Sequence, residues 1–587
     1  MDFKDRLIQV ILEWEDLESQ GLADLLLRVN LPSAYKSIEE YIQTWDAVIL
    51  ADFRISLCEA YLRPPGHPAG FVAFTGKVHH TEPEHLADVV SYKAEGIGFE
   101  CILLLRRTGF CYFDGKRLYM STRCSFVFEA RNRLSEPHFT GLNFMIPLAR
   151  IDAILYIGSL HATPWMQWIL DARCAGKAPT SPSSHCHDDA ISAFLNGQSG
   201  IYLWQGPPGT GKTKVLALLS KLFLAIHSDL KVLVCAHSND AVHNLATRLQ
   251  DASVPCDIIN WSVSAERLAA HTPSAIEKKM INRHDVSKVR IWITTCTRAR
   301  LIRNVTFQLV ILDEAASCPI MDGDMIVPFL DVECGFSKLL LVGDCEQLPP
   351  VMKMFRQQQP YASFMGRCCA MSRECVYPFD VSYRLGPMML KFLKDNIYHN
   401  IPSFRCFTTE IPTLRNILRS GEPFPEVACI NVVGGSETRV IKNAMKGWSW
   451  INHLEAQTVA TLVCGLLRNG VHKANIVVIS PYAEQTSCVK ALLQKEREAK
   501  HVKNTTVHGM QGSERPFVIV TTVRTSLTGF IDASTLMNVA LSRQKVFLII
   551  VGNAKFLHDH TIWWSRLIKY LIQEKVVFSP EWMDFKL

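Results

Sequence analysis

The pattern of hydrophobic and polar residues changes character along the first third of the chain. Over residues 1 to about 62, apolar residues recur every three or four positions in DRLIQVILEW and YIQTWDAVILADF, the spacing of an amphipathic helix. From about 67 to 160 the pattern becomes short apolar runs such as FVAFTGKV and CILLLRR, and Asp114-Gly115 between FCYF and KRLYM is a hairpin signal. We therefore predict a helical stalk over residues 1–66 and a small β-rich, barrel-like accessory domain over residues 67–174.

After a segment rich in Pro, Ser and His at residues 175–187, buried strands alternate with helices. A first series contains IYLW, KVLVCA, IWITTCT, QLVILDE and KLLLVGD, and a second contains CINVV, NIVVISPY, FVIVTTV and VFLIIVG. Such alternation predicts mostly parallel sheets whose strands are joined by crossover helices. The fold class is therefore α/β, with two such domains in tandem over residues 175–365 and 366–587.

Composition limits which cellular compartments and which classes of partner are compatible with the chain. The 19 cysteines are scattered over 587 residues without a CxxC pair, which favours a reducing compartment over a disulfide framework. Acidic residues interrupt the N-terminal apolar pattern, so it predicts no signal or transit peptide, and no run approaches the ~20 apolar residues of a membrane span. We expect an intracellular protein, nuclear or cytoplasmic, and its net charge of +6 permits a nucleic-acid partner without requiring one.

The stretch QGPPGTGKT has the spacing of a phosphate-binding loop. Its glycines let backbone N–H groups converge on phosphate oxygens, its lysine neutralises the outer phosphates and its threonine reaches Mg²⁺. The motif follows an apolar strand and opens an apolar helix, as this chemistry requires. We predict a Mg²⁺-dependent nucleoside triphosphate site that comprises Gly206, Pro207, Pro208, Gly209, Thr210, Gly211, Lys212 and Thr213.

Two later strand ends carry polar residues suited to the same site. Asp313 and Glu314 end the run LVILDE, at the carboxyl edge of a parallel sheet where ligands collect. Asp313 would hold Mg²⁺ through water, and Glu314 would orient and deprotonate the attacking water. After LLLVGD, Gln347 is placed to contact the γ-phosphate, with Asp344 positioning Gln347 or the metal shell. Taken singly, each of these features is also compatible with a solvated or capped strand end.

Eight motifs in fixed order resemble those of superfamily 1 helicases: QGPPGTGKT, VLVCAHSNDAVHNLATRL, VILDEAAS, LLLVGDCEQLPP, VSYRLGP, IVVISPYAEQ, TTVHGMQGSERPFVIVTTVRT and MNVALSRQK. The chain looks most like the up-frameshift and senataxin branch over residues 185–555, and more weakly like NFX-type zinc-finger helicases without their fingers. This resemblance implies two RecA-like domains with ATP between them and 5′-to-3′ movement on single-stranded RNA or DNA, with RNA mildly preferred. It also implies a monomer with protein partners in RNA metabolism.

The resemblance further assigns roles to individual residues. Arg384 and Arg543 would be arginine fingers from the second domain, Tyr383 would stack on the base, and Glu514 would contact the ribose beside Gly512. A guanidinium that arrives only on closure makes hydrolysis depend on domain approach. Nucleic acid would lie across both domains and contact Ser238, Asn239, Thr295, Pro481, Tyr482, Thr506 and His508.

The chain departs from this branch at His187, where related helicases carry a glutamine that recognises the adenine edge. GTP use therefore stays open beside ATP. The leading functional hypothesis is an ATP-driven translocase that unwinds duplexes or displaces bound proteins. Two alternatives remain: an ATP-gated RNA-binding clamp with little unwinding, and a protein remodeller whose hydrolysis ignores nucleic acid.

Overall fold

A computed structural model describes the chain at residues 6, 31–61, 72–75, 77–78, 84–86, 89–95, 101–105, 109–113, 117–121, 138–142, 145–160, 163–175, 186–227, 229–252, 257–258, 290–299, 302, 305–352, 355, 361–407, 422–443 and 447–583. Two parallel sheets with helices on their faces dominate this part of the chain, which confirms the α/β fold class. Within the described ranges, none of the helices is both long and apolar enough to cross a membrane.

The N-terminal part combines helices with an antiparallel sheet. Its helices are α1 (Ile38–Tyr61), α2 (Met145–Ser159) and α3 (Pro164–Asp171), and its strands are β1 (Val72–Thr75), β2 (Lys77–Val78), β3 (Glu84–Leu86), β4 (Val89–Glu95), β5 (Cys101–Leu105), β6 (Gly109–Phe113), β7 (Arg117–Ser121) and β8 (His138–Leu142). The strand order is β1-β8-β5-β6-β7-β4-β2, with β3 beside β4. Because β1 and β2 are one residue apart in sequence yet lie at opposite ends of this order, the sheet closes on itself.

The paired strands β6 and β7 are those that the Asp114-Gly115 signal predicts, with Tyr112 opposite Tyr119; the turn itself lies outside the described residues. The extent of the β-rich region differs from the prediction. Residues 145–159 and 164–171 are helical, although they fall within the predicted accessory domain. The buried residues Ile151, Ile154 and Ile157 recur at the helical spacing that was missed there.

The first α/β domain contains a seven-stranded parallel sheet of order β11-β12-β10-β13-β14-β9-β15. Its elements are α4 (Cys186–Asn196), β9 (Gly200–Gln205), α5 (Lys212–Ile226), β10 (Val232–Ala236), α6 (Asn239–Asp251), β11 (Asp257–Ile258), β12 (Ile291–Thr295), α7 (Cys296–Ala299), β13 (Leu309–Asp313), α8 (Ile320–Gly323), the 3₁₀ helix Asp324–Phe329, β14 (Lys338–Gly343), α9 (Phe364–Met371), the 3₁₀ helix Arg373–Cys375 and β15 (Val376–Pro378). The sheet therefore continues past residue 365, where the sequence analysis ended this domain.

The second α/β domain contains a six-stranded parallel sheet of order β22-β21-β23-β24-β18-β25, beside a parallel β16–β17 pair and an antiparallel β19–β20 hairpin. Its strands are β16 (Val381–Ser382), β17 (Arg405–Cys406), β18 (Val427–Asn431), β19 (Glu437–Asn443), β20 (Gly447–Asn452), β21 (Ile476–Ser480), β22 (Lys503–Thr506), β23 (Arg515–Thr521), β24 (Gln544–Gly552) and β25 (Val577–Phe578). Its helices are α10 (Pro387–Asn396), α11 (His453–Arg468), α12 (Ala483–Leu493), α13 (Ser534–Leu541), α14 (Ala554–His560) and α15 (Trp563–Gln573), with 3₁₀ turns at Lys473–Asn475, Ala499–His501, His508–Met510, Gly529–Asp532 and Pro580–Met583.

Alternate residues of the first sheet face two different cores, as the period of two of a strand requires. Leu203 and Val310 belong to a core that contains Trp45 of α1, so the stalk helices cover this face of the sheet. Trp204 and Ile311 point the other way, into the core beneath α5 and α6. The second sheet likewise separates two cores. The stalk is therefore part of the first α/β domain's packing.

Polar contacts reinforce this junction between stalk and sheet. Arg150 of α2 bridges Asp52 of α1 at 2.6 Å and Asp322 of the first domain at 2.8 Å. The Tyr41 hydroxyl of α1 donates to Asp324 Oδ2 at 2.6 Å in a fully buried position. Because unpaired buried charges are costly, these pairings fix the stalk in one orientation on the domain.

Candidate nucleotide site and nucleic-acid face

The loop between β9 and α5 has the conformation of a phosphate cradle. Gly209 and Gly211 have φ of 77° and 81°, in the left-handed region that glycine adopts without strain. A Cβ at Gly206 would lie 2.4 Å from Lys212 Cγ, so a larger residue has no room there. Lys212 Nζ donates to the Gly206 carbonyl at 2.6 Å, across the mouth of the loop. The loop leads into the amino end of α5, whose partial positive charge favours an anion.

The acidic residues of β13 lie beside this loop. Thr213 Oγ1 is 3.4 Å from Asp313 Oδ2, and the Glu314 backbone N–H donates to Asp313 Oδ1 at 2.9 Å. Burial, with the neighbouring Glu314 carboxylate, raises the pKa of Asp313 to about 7. Glu314 has φ of 55°, a strained conformation for a residue with a side chain. Hydroxyl and carboxylate oxygens are the ligands that Mg²⁺ prefers, so Thr213 and Asp313 fit the predicted metal position.

Asp344 is the centre of a buried hydrogen-bond network. Its carboxylate accepts from Gln205 Nε2 at 2.7 Å, from Gln347 Nε2 at 2.6 Å and from the Tyr398 hydroxyl at 2.6 Å. Asn538 Nδ2 donates to the same hydroxyl at 2.7 Å. Burial raises the pKa of Asp344 despite these donors. Asp344 thus positions Gln347, and the network joins the first domain to Tyr398 and Asn538 from beyond the first sheet.

Arg543 reaches across the seam between the two domains. It precedes β24 of the second sheet, and its Nη2 group donates to Gln347 Oε1 of the first domain. Its Nε donates to the Val539 carbonyl at 3.0 Å, which fixes the direction of the side chain. Burial, together with the charge of Arg384, lowers the pKa of Arg543 to about 10, so the guanidinium keeps its charge at neutral pH.

The segment that carries Arg384 lies directly on the phosphate loop. The Tyr383 backbone N–H donates to the Gly209 carbonyl at 2.8 Å, and Ser382 Oγ donates to the Pro208 carbonyl at 2.9 Å. A Cβ at Gly209 would lie 2.5 Å from Arg384 Cβ. A side chain at this position would therefore collide with Arg384, in addition to the strain of its positive φ. Arg384 therefore lies beside the loop that contains Lys212, whereas Arg543 contacts Gln347 in the first domain.

The Arg384 guanidinium is bound by Glu514, the residue that the sequence resemblance predicts to contact the ribose. Arg384 Nε donates to Glu514 Oε2 at 2.6 Å, and Lys545 Nζ lies 2.8 Å from Glu514 Oε1. Burial alone would raise the pKa of Glu514, but these two cations lower it to about 2. Gly512 contacts the first domain instead, since its carbonyl accepts from Asn244 Nδ2 at 3.5 Å.

Aromatic rings surround a surface next to the phosphate loop. The His187 ring lies 5.0 Å from that of Phe379 and 5.8 Å from that of Tyr383, between centroids. The Tyr383 ring lies 4.8 Å from Phe407, and the two side chains are 52% and 68% exposed. His187 Nε2 is 2.8 Å from the Thr210 carbonyl. Because a carbonyl only accepts, Nε2 carries the hydrogen, and Nδ1 of the neutral ring is an acceptor.

The residues predicted to contact nucleic acid in the first domain lie at or just after the carboxyl ends of β10 and β12, away from the phosphate loop in the strand order. Ser238 and Asn239 are exposed, and Ser238 Oγ accepts from the Ala241 backbone N–H at 3.2 Å as the cap of α6. Thr295 is buried, and its Oγ1 lies 3.3 Å from that of Thr297. The phosphate loop and this group thus occupy different parts of the sheet's carboxyl edge.

In the second domain the corresponding residues follow β21 and β22 at one side of the sheet. His508 is exposed, and Thr506 Oγ1 accepts from the Gly509 backbone N–H at 3.3 Å. Pro481 is half-buried. Tyr482 differs from the expectation of an open channel-lining side chain, because it is only 4% exposed and its ring packs 4.7 Å from Phe530.

Sequence reasoning missed several residues that shape the site. Tyr398 had no local signal, because only the packing of α10 and its following turn brings it to Asp344. Gln205 and Asn538 stood inside quoted motifs, but their partners are 139 and 140 residues away along the chain. Phe407 lies outside every motif. The sequence offered one signal for such residues, a polar residue next to apolar positions within a motif. Gln205 and Asn538 have this signal.

Comparison with known proteins covers both α/β domains. Residues 187–360 and 361–555 each match a family model described as an AAA domain. The Regulator of nonsense transcripts 1 homolog of Neurospora crassa is 27% identical over 65% of this chain and 38% of its own length. The ATP-dependent helicase NAM7 of Saccharomyces cerevisiae is 26% identical over 65% and 43%, and the RNA helicase Mov10l1 of Homo sapiens is 29% identical over 62% and 33%. The chain thus spans less than half the length of these relatives.

Among solved structures, an arterivirus nonstructural protein 10 helicase in complex with DNA matches at 16% identity and a TM-score of 0.32, over 62% of this chain and 61% of that one. This similarity is too distant to support an inference. The two family models together cover residues 187–555, a range that includes the site described above.

Proposed function

Because the chain belongs to the up-frameshift-like group of superfamily 1 helicases, we propose that it hydrolyses ATP to move along single-stranded nucleic acid, unwinding duplexes or displacing bound proteins. The observation that carries this proposal is the contact between Arg543 of the second domain and Gln347 of the first. If hydrolysis needs the Arg543 guanidinium, it can proceed only when the two domains are close together. Both domains also border the proposed path of the nucleic-acid strand. That dependence is how hydrolysis becomes movement.

Each site residue has a distinct task in this proposal. Lys212 neutralises the outer phosphates, and Gln347 is held by Asp344 where it meets the γ-phosphate. Thr213 and Asp313 would hold Mg²⁺, which neutralises charge between the outer phosphates. Glu314 orients the attacking water and takes its proton. Arg543 already lies beside Gln347, whereas Arg384 has to leave Glu514 before it can contact the γ-phosphate.

The base position favours ATP over GTP. His187 uses its Nε2 hydrogen on the Thr210 carbonyl, and burial lowers the pKa of the ring, so the ring is neutral at pH 7. The remaining Nδ1 accepts one hydrogen bond. Adenine offers an exocyclic amine at its 6-position, whereas guanine offers a carbonyl, which repels a lone pair. Tyr383 and Phe407 supply the rings on which the base stacks.

The proposed substrate is a single strand, with RNA mildly preferred over DNA and movement from 5′ to 3′. The names of the relatives, which include an RNA helicase and a regulator of nonsense transcripts, support RNA. Exposed Ser238, Asn239 and His508 at strand tips suit sequence-independent phosphate contacts. By the same analogy, the protein acts as a monomer with protein partners in RNA metabolism, in the nucleus or cytoplasm.

The first test is substitution of the phosphate-loop lysine. Lys212→Ala removes the charge that the outer phosphates require, and we expect hydrolysis to fall to background with poly-ribo and poly-deoxyribo strands alike. Hydrolysis by the wild type should be stimulated by both strands and weakened by added salt, because phosphate contacts release counterions. Unchanged turnover in purified Lys212→Ala protein refutes the site.

A strand-displacement assay tests the translocase against the clamp. With a labelled duplex carrying a 5′ single-stranded tail, the wild type should release the label at a rate that depends on ATP concentration, and Lys212→Ala should not. Nucleic-acid-stimulated hydrolysis without displacement of either strand or a bound protein block indicates the clamp. Hydrolysis that is indifferent to nucleic acid indicates the protein remodeller.

A further inference from the structure

Two half-buried thiols meet next to the γ-phosphate side of the site. Cys345 follows Asp344 directly, and its Sγ donates a hydrogen bond to Cys369 Sγ of α9 at 3.3 Å. The Cys345 backbone N–H donates to Gln205 Oε1 at 3.2 Å. The pair is therefore attached to the same loop that positions Gln347.

Helix packing explains why these sulfurs meet. A Cβ at Gly343, the last residue of β14, would lie 2.9 Å from Met365 Sδ, so α9 crosses the end of this strand closely. Cys369 is four residues after Met365 and therefore lies on the same face of α9. Cys345 is two residues past Gly343. The contact follows from the close approach of the helix to the strand end.

The neighbouring cysteines differ from this pair. Cys368 is fully buried and hydrogen-bonds with Cys174. Cys296 and Cys318 are also fully buried, with sulfurs 3.9 Å apart. In the part of the chain that the structure describes, no group of His, Cys, Asp and Glu residues is arranged to hold a metal ion. Cys345 and Cys369 are both only half-buried, so this pair is more exposed than the fully buried Cys296–Cys318 pair.

We propose that Cys345 and Cys369 form an oxidisable dithiol that closes to a disulfide under hydrogen peroxide and thereby arrests hydrolysis. The Cys369 sulfur, which faces the Cys345 thiol with a lone pair, loses its proton and attacks peroxide. The O–O bond breaks, Cys369 becomes a sulfenic acid, and the released hydroxide takes a proton to form water. The Cys345 sulfur then displaces the sulfenic oxygen as a second water. Two thiols and one peroxide give one disulfide and two waters, and two electrons pass to the peroxide.

Closure of the disulfide displaces the loop that carries Gln347. A disulfide needs sulfurs about 2.05 Å apart, so the pair has to approach by roughly 1 Å. Cys345 is bonded to Asp344, whose carboxylate holds both Gln347 and Tyr398. A displacement of ~1 Å at a catalytic group can lower turnover by about 10²-fold. This step rests on the proposed ATP hydrolysis, whereas the disulfide itself does not.

The disulfide is tested by mass spectrometry on the full chain. Protein treated with hydrogen peroxide is alkylated and digested with trypsin, which yields the peptides 339–353, with Cys345 as its cysteine, and 368–373. We expect these two peptides to be joined in the wild type and in Cys368→Ala, and separate in Cys369→Ala. Absence of the joined species in the wild type, or its persistence in Cys369→Ala, overturns the assignment.

The effect on hydrolysis is measured on the same samples. Peroxide should lower kcat of the wild type and of Cys368→Ala by roughly 10- to 100-fold, with little change in KM for ATP, and dithiothreitol should restore it. Cys369→Ala should keep its kcat under peroxide. A joined peptide with unchanged kcat overturns the arrest. A reduced wild type without any ATP hydrolysis counts against the proposed function, while the peptide test still decides whether the disulfide forms.

Discussion

Gln347 illustrates how single side chains in this site are positioned by their partners. Its amide nitrogen is fixed by Asp344, and its oxygen accepts from Arg543 across the seam. Asp344 in turn is fully buried and receives two further donors, from Gln205 and Tyr398. Because a buried carboxylate without donors is costly, removal of any one of these groups disturbs the others. Gln347 is therefore hydrogen-bonded to side chains of both domains.

At the residue scale, His187 provides a test of base recognition. With Nε2 committed to Thr210, the wild type should use 7-deaza-ATP as well as ATP and should use purine riboside triphosphate less well, by about two- to tenfold in kcat/KM, the value of one neutral hydrogen bond. His187→Gln adds an amide donor for N7, so this variant should also discriminate against 7-deaza-ATP. Steady-state hydrolysis of the three nucleotides gives the comparison. Poor use of 7-deaza-ATP by the wild type contradicts the assignment.

At the residue scale, the sequence predicted which residues come together better than it predicted which side chains each of them contacts. Motif spacing was sufficient to bring Lys212, Thr213 and Asp313 to one strand edge, because adjacent parallel strands end together. Motif spacing did not predict the contacts of Glu514, whose carboxylate binds Arg384 and Lys545. Which of several polar atoms a side chain contacts depends on tertiary packing, and a linear pattern does not contain that information.

At the scale of elements, the stalk helices and the first sheet form one packed unit. Tyr41, Trp45, Val48 and Ile49 recur at helical spacing along α1, and all are buried. Arg367 of α9 adds hydrogen bonds to the backbone carbonyls of α3. α1 and the first sheet therefore share one hydrophobic core.

The buried Asp324 makes the docking of α1 depend on pH. Burial raises the pKa of Asp324 to about 7 from an ordinary value of 3.8, although the Tyr41 hydrogen bond and Arg367 lower it. The folded state thus favours protonated Asp324, and this stabilisation is complete below the unfolded pKa and is lost as pH rises through 7. Between pH 6 and 8 we expect the loss in the free energy of unfolding to be on the order of 1 kcal/mol.

Asp324→Asn is the matched variant for this effect, because asparagine still accepts from Tyr41 but does not titrate. Urea unfolding of both proteins from pH 6 to pH 8 should show the wild type losing stability relative to the variant. Hydrogen exchange of the α1 amides should locate the loss in the stalk. Parallel pH profiles for the two proteins contradict this role for Asp324.

Element prediction from sequence succeeded for the parallel sheets and failed at α2. The parallel strands are buried on both faces and read as continuous apolar runs between helices. The segment MIPLARIDAILYIGS is almost as apolar, since α2 lies between α1 and the 3₁₀ helix Asp324–Phe329. The exposed face of α2 includes the apolar Leu155 beside Asp152 and Ser159, so the contrast between a polar and an apolar face that marks a helix is weak in this segment.

At the scale of the whole molecule, different edges of the two sheets border the candidate nucleotide site. The phosphate loop, Asp313 and Asp344 follow strands of the first sheet, whereas Glu514 and Arg543 immediately precede strands β23 and β24 of the second. The residues of the second domain predicted to contact nucleic acid lie at or just after the carboxyl ends of β21 and β22, on the opposite edge of that sheet. A rotation of the second domain therefore changes both the arginine positions and the strand path. The motif order in the sequence indicated two such domains, but only the fold shows which edge of each faces the seam.

Substitution of Arg543 tests this arrangement most directly. We expect Arg543→Ala to bind ATP with near wild-type affinity, because Lys212 and the phosphate loop remain, and to lower the single-strand-stimulated kcat by about 10³-fold or more. Lys555→Ala is the control, since it removes an exposed cation of the same domain that pairs only four residues away with Asp559. The measurement is ATP affinity and kcat for wild type, Arg543→Ala and Lys555→Ala with single-stranded RNA. A large loss of kcat confined to Arg543→Ala is the predicted result, and hydrolysis that continues at the wild-type rate in Arg543→Ala would contradict a site completed across the seam.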